Sequence, residues 1–331
     1  MPLWMDRSHR TQHDHHGGMP RSVPIPPELG PAFSVRAAQT QGLRRGRLAG
    51  SDLRRPFRGS RALPIAEPSL SDSAAAYFEH RRDLLVRKCL AYSAVASPGF
   101  AFSHATAAEI LGIPLPVGTA GWPIHVSVPK GTTPPRMRGV IGHTKTEQCA
   151  VIHVRGLPVL RPEAVWLQLA ATLCVDDLIV AGDHLVRRKR AQSGVAALEA
   201  AIAAAAGSRG IRKARAAIPD IRPGTDSPME SKLRLALVRA GLPEPVIGHT
   251  VLFEGAFVGT PDLAYVREKI ALDYEGEVHR NDESVFANDI ERRENFADAH
   301  WRHVRVTKEQ IPHRIVARVR NLLAERAVAP D

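Results

Sequence analysis

Apolar positions first fall at helical spacing over 74–92, where Tyr77, Leu84, Leu85, Cys89, Leu90 and Tyr92 share a side. Ser103 then precedes HATAAEILGI, an N-cap before a short Ala-rich helix that Gly112 and Pro114 end. The spacing changes to that of strands at Ile124–Val128, Val140–His143 and Ala150–Val154. Two short helices followed by strands predict a winged-helix-like element for nucleic acid, or a small α+β module that never touches it. Helical spacing returns over 161–206. Val165, Trp166, Leu169 and Ala170 line one face, and Leu178, Ile179, Gly182, Leu185 and Val186 line the next. A ring as large as Trp166 at this spacing belongs in a core. Ala-rich 195–206 and the stretch 211–218 predict two more helices.

Pro223, Gly224 and Pro228 forbid a continuing helix, so residues 222–228 are expected to link a module over 71–221 to a domain over 229–331. Asp226 or Ser227 can cap the helix beyond the linker. The pattern there predicts a helix over Met229–Ala240 and strands over Thr250–Phe253, Phe257–Tyr265 and Lys269–Tyr274. A helix over Val285–His300, a strand over His303–Thr307 and a helix over Gln310–Ala327 complete it. At the other end, Pro20, Pro24, Pro26, Pro27, Pro31, Pro56, Pro64 and Pro68 break every period. Residues 1–70 are therefore expected to be a disordered basic Pro/Arg-rich tail. His13, His15 and His16 in it read as a metal-binding tract or as flexible polar chain.

The length of 331 residues fits two domains and a tail. At 44% hydrophobic and 24% charged residues, a chain disordered throughout or a fibrous repeat is excluded. No run approaches the roughly 20 apolar residues of a bilayer span, and MPLWMDRSHRTQHDHH has no apolar signal core, so a cytoplasmic protein with no membrane partner is expected. Cys89, Cys149 and Cys174 are too few and too scattered for a disulfide framework or a zinc site.

The net charge of +11 is uneven. Residues 1–62 carry eleven Arg, no Lys and four acids, whereas residues 226–331 carry more acids than bases. Basic segments attract polyanions, nucleic acid first among them, although a charged stretch such as RRKR at 187–190 also reads as a solvated helix end.

The acids of the last third are placed unusually. Asp262 interrupts an apolar strand. Asp273 and Glu275 sit two apart on the next strand, a spacing that sends both side chains to one face. Leu272 and Tyr274 flank Asp273, so it should be half-buried, and a buried carboxylate needs a cation, a proton or a metal. Three acids on adjacent strands suit one or two hard ions, Mg²⁺ or Mn²⁺, which activate water in phosphodiester hydrolysis. Glu230 on the preceding helix can reach the same sheet end. The alternatives are an edge strand carrying acids for solubility, and for Glu230 a helix-start acid favoured by the macrodipole.

The runs MESKLR around Glu230, TPDLAY around Asp262, IALDYEGEVHR over 270–280, DIER over 289–292 and HWRHVRV over 300–306 resemble, in that order, the very-short-patch-repair-like branch of the PD-(D/E)XK nuclease superfamily. The resemblance covers about residues 226–326. It implies a restriction-endonuclease-like α/β domain with a central mixed sheet flanked by helices. It implies Asp262 as metal anchor, Asp273 as second acid, Glu230 as the helical acid and His279 as an aid to the leaving group. It further implies Arg280, Arg292 and Arg305 at phosphates. Two departures stand out. Glu275 occupies a position where the superfamily often has Lys, and His300 precedes Trp301 where the branch usually has Gly. More loosely, HATAAEILGIPLP, GLPVLRPEAVWLQLA and LIVAGDHLVRR resemble AbiEi-type antitoxin and regulator modules. The expectation is a Mg²⁺-dependent DNA endonuclease, with a DNA-binding regulator of nuclease fold but without activity as the alternative. RNA is a further candidate substrate, and a double-strand cut would favour pairing of two chains.

Overall fold

The computed structural model describes residues 23–66, 74–118, 123–144, 150–275, 283–307, 310–311 and 313–328. They form a mixed α+β structure in three consecutive parts. Within residues 23–66 the first part corrects the expectation of a disordered tail over 1–70; the rest of that stretch, with His13, His15 and His16, lies outside the described residues. Within 23–66, β1 (Ala32–Ser34), α1 (Val35–Thr40), α2 (Arg45–Leu48) and β2 (Ser60–Ala62) enclose a small core of Phe33, Ala38, Leu43, Leu48 and Leu53. β1 and β2 pair antiparallel, and Ser34 caps α1 by accepting the Ala37 N–H at 3.0 Å. Pro27 opens a 3-10 turn over Pro27–Leu29, where no N–H is needed, and Pro31, Pro56 and Pro64 sit between the elements. Sparse apolar residues suffice because this unit rests on α3 (Ala74–Ser93), whose Arg87 donates to the Leu63 carbonyl at 2.9 Å.

The second part is a five-stranded sheet with helices against it. Its elements are β3 (Ala101–Phe102), α4 (His104–Leu111), β4 (Ile124–Val128), β5 (Val140–Thr144), β6 (Val151–Val154), β7 (Leu157–Leu160), α5 (Pro162–Leu169), α6 (Val175–Leu185), α7 (Val195–Ala204) and α8 (Ile211–Ala217). The strand order is β5-β4-β3-β7-β6, parallel at β4–β5 and β3–β7 and antiparallel elsewhere. Gly112 ends α4 in the left-handed conformation at φ 76°, as a C-terminal glycine allows. Trp166 is fully buried and donates its indole N–H to the Leu178 carbonyl at 2.9 Å, which joins α5 to α6.

The third part holds α9 (Pro228–Arg239), β8 (Val246–Ile247), β9 (Val251–Phe253), β10 (Ala256–Gly259), β11 (Leu263–Tyr265), β12 (Ile270–Tyr274), α10 (Glu283–Asp298), β13 (Arg302–Val306) and α11 (His313–Val328). The sheet order is β13-β12-β11-β8, with β12–β13 parallel. One face carries Leu263, Leu272, Val304 and Val306 against α9 and α11; on the other, Ala271 meets Phe296 of α10 and Val251 of the β9–β10 hairpin. The strand expected over Phe257–Tyr265 is two strands. Pro261 has no N–H for a ladder, so the chain leaves the hairpin at Gly259 and enters the main sheet at Leu263. That break sets Asp262 at the mouth of the sheet.

Linker residues pack tightly: Thr225 is buried, and Leu235 of α9 joins the core of the second part while Leu233 and Leu237 join that of the third.

Candidate functional site

The acids gather where β11 begins and β12 ends. Asp262 and Asp273 face one another across this antiparallel pair and exchange side chain for backbone. The Asp262 N–H donates to Asp273 Oδ1 at 2.9 Å, and the Tyr274 N–H donates to Asp262 Oδ2 at 2.7 Å. The parallel neighbour β13 puts His303 and Arg305 on the same face as Ala271 and Asp273, because paired residues of parallel strands point the same way. His303 Nε2 lies 2.7 Å from Asp273 Oδ2. From α10, Arg292 donates to that same oxygen through Nε at 3.1 Å and Nη2 at 2.9 Å, and Nη2 also reaches the Thr260 carbonyl at 3.1 Å. Arg305 pairs with Glu275 just beyond the end of β12.

The two central acids consequently differ in charge state. Burial pushes Asp273 upward, but the His303 hydrogen bond and the Arg292 charge more than offset it, and its carboxyl stays below the usual range. Asp262 has no ion pair among the described residues. Burial, with the nearby negative charges of Glu230 and Asp273, pushes it up to about 7. Glu230 is itself raised by burial. It stands in the first turn of α9, where Ser227 Oγ accepts its N–H at 3.2 Å and its own Oε2 accepts the Asp226 N–H at 2.8 Å. Glu230 therefore acts at the helix start and also places negative charge near Asp262.

Cations border this acidic mouth. Arg188, in the RRKR run, donates to Asp226 through Nε at 3.2 Å, and Asp226, Glu230 and Asp262 all favour its charged form. Arg187 turns instead to His184. His279 and Arg280 lie outside the described residues, as does the side chain of Asp289. Compared with known protein families, curated proteins and solved structures, this chain matches none.

For a hard divalent ion, the acids fit unevenly. Asp262 and Glu230 offer oxygen donors without an ion pair to Asp262, whereas Asp273 Oδ2 is shared by Arg292 and His303, and Glu275 faces Arg305. Among the described residues, no three of these acids bring donor atoms within 4.8 Å of one another; the group that does is His104, His125 and His143. Sequence reasoning assigned no role to His303. Its signal was its place two residues before Arg305, on the face of β13 that looks toward Asp273. The three histidines were missed as a group because they come from separate elements.

Proposed function

We propose that the chain is a divalent-metal-dependent DNA endonuclease, in keeping with its resemblance to the very-short-patch-repair-like branch of PD-(D/E)XK nucleases. The observation that carries this reading is Asp262, a half-buried carboxyl next to a second acid and without an ion pair among the described residues. Such a group is relieved by a proton or by a metal. Asp262 and Glu230 would hold Mg²⁺ or Mn²⁺, which supplies a more acidic water and charge stabilisation at phosphate. Arg188, Arg292 and Arg305 border the acids and would receive phosphates of the bound strand. Asp273, fixed by Arg292 and His303, positions Asp262 through its backbone N–H.

A second reading is favoured by the same ion pairs. With Asp273 paired to Arg292 and Glu275 to Arg305, the domain can bind DNA as a regulator and cut nothing. Incubating supercoiled plasmid with wild-type protein and Mg²⁺ or Mn²⁺, alongside Asp262→Asn, separates the two. Cleavage lost in the variant supports the nuclease. Salt-sensitive binding equal in both proteins and without cleavage supports the regulator. Absence of binding to DNA or RNA at low salt rejects both.

A further inference from the structure

We propose that His104, His125 and His143 bind one first-row transition-metal ion, with Zn²⁺ the best fit. His104 opens α4 directly after Ser103, His125 lies on β4 and His143 on β5. In the parallel β4–β5 register Ser127 pairs with His143, so His125 and His143 share a face, one step apart along it. The start of α4 brings His104 onto that face, its ring stacked on His143 at 3.8 Å between centroids and inclined by 20°. One donor nitrogen from each ring lies within 4.8 Å of the other two, and His125 Nδ1 is 3.0 Å from His143 Nε2. Tetrahedral zinc, with Zn–N near 2.0–2.1 Å, places its donor nitrogens about 3.3 Å apart. The three rings stack at 8–27° to one another, so binding one ion requires them to turn until their in-plane lone pairs converge.

The electrostatics agree with the geometry. Burial, reinforced by the neighbouring rings, holds His104 down to about 3, and His125 and His143 also stay below the ordinary range of histidine. Lowered values favour the neutral ring, the form in which imidazole offers a lone pair. Ser103 Oγ lies 3.0 Å from His104 Nδ1 and gives the ring a polar partner that helps fix its orientation. The His104 backbone is left-handed at φ 51°, a conformation disfavoured for a non-glycine residue. Gln168 Oε1 holds it there by accepting the His104 N–H at 2.9 Å. Ser127 Oγ is buried without a hydrogen-bond partner among the described residues, on the same strand face as His125 and opposite His143. A metal-bound water would satisfy it. Three imidazoles select Zn²⁺, Co²⁺, Ni²⁺ or Cu²⁺ and discriminate against Mg²⁺, so this site is chemically separate from the acids of the third part.

The test uses the full chain after chelator treatment, with His13, His15 and His16 replaced by Ala so that the front tract cannot compete. Calorimetric titration should give one Zn²⁺ per chain, and adding His143→Gln should weaken binding at least tenfold. Cobalt titration of the same protein, with the cluster intact, should give the intense visible bands of a four-coordinate ion, a readout that does not depend on the His143→Gln variant folding. Zinc binding unchanged by His143→Gln in a folded protein, no binding at all once the tract is replaced, or only the pale spectrum of octahedral cobalt would each overturn the proposal.

Discussion

Arg234 and Asp183 lie 2.9 Å apart with 1% and 0% of their side chains exposed, one on α9 and the other on α6. The pair crosses the boundary that sequence composition draws at residues 222–228. Asp183 Oδ1 also accepts the Arg222 N–H at 2.7 Å, and Arg234 reaches the Asp220 carbonyl at 2.8 Å and Glu244 at 2.9 Å. Even so, burial leaves Asp183 raised above the ordinary carboxylate range. Asp183→Ala would leave the buried guanidinium with Glu244 and the Asp220 carbonyl as its partners and the Arg222 N–H without its acceptor, and should destabilise the fold by about 2–4 kcal/mol in urea denaturation. Replacing both residues together with apolar side chains should cost less than the single change. A double variant as unstable as the sum of the singles would contradict this account of the pair.

Two glycines give opposite expectations. A Cβ on Gly182 of α6 would meet Ile221 Cδ1 at 2.3 Å and Trp166 Nε1 at 3.3 Å, so Gly182→Ala should cost about 1–3 kcal/mol through overpacking. Gly46 in α2 has nothing within 4 Å, so Gly46→Ala should stabilise by about 0.5–1 kcal/mol through lower unfolded-state entropy. Denaturation midpoints of the two variants should move in opposite directions.

Those contrasts show what the sequence makes legible. Helical spacing placed α5 and α6 and marked Trp166 as core, because large apolar residues at i, i+3 and i+4 leave few alternatives. Strand alternation found β4 and β12 for the same reason. It missed β3, two residues long, and β7, which comes after a two-residue turn from β6. It also read residues 23–66 as disordered, because their few apolar residues are spread among prolines and close into a small core only through the β1–β2 pairing. In the site, spacing found Asp262, Asp273 and Glu275. What it could not supply was pairing across strands: that Arg292 and His303 converge on one oxygen of Asp273 is a property of the β12–β13 register and of α10 above it.

The position before Trp301 shows where a departure in sequence has a local physical cost. His300 has φ 62°, and the bonds from His300 N to Ala297 O at 2.9 Å and from Trp301 N to Phe296 O at 2.8 Å close α10 in a Schellman arrangement. Glycine adopts this conformation without the Cβ clash. His300→Gly should therefore raise stability by about 0.5–1 kcal/mol, read as an increase in urea midpoint. The gain is offset in part by loss of the edge-on ring contact with Phe253, 6.0 Å between centroids.

Asp262 connects stability to pH with a sign opposite to that of a salt-bridged carboxylate. Its folded value of about 7 lies above the 3.8 of an unhindered aspartate. The folded state thus holds its proton more tightly than the unfolded state does. The stabilisation from this proton is complete below about pH 4, declines as pH rises, and is gone above about pH 7. At about 1.4 kcal/mol per tenfold difference in proton affinity, the loss is on the order of 4 kcal/mol at most. Asp262→Asn removes the titration, so the difference in unfolding free energy between variant and wild type should grow in the variant's favour from about pH 4 to about pH 8. Adding millimolar Mg²⁺ at about pH 8 should then stabilise wild type and leave Asp262→Asn unmoved if the carboxylate receives the ion. Equal stability of the two proteins at every pH would mean that Asp262 is solvated. A magnesium effect identical in both would move the ion elsewhere, and with it the nuclease reading of this site.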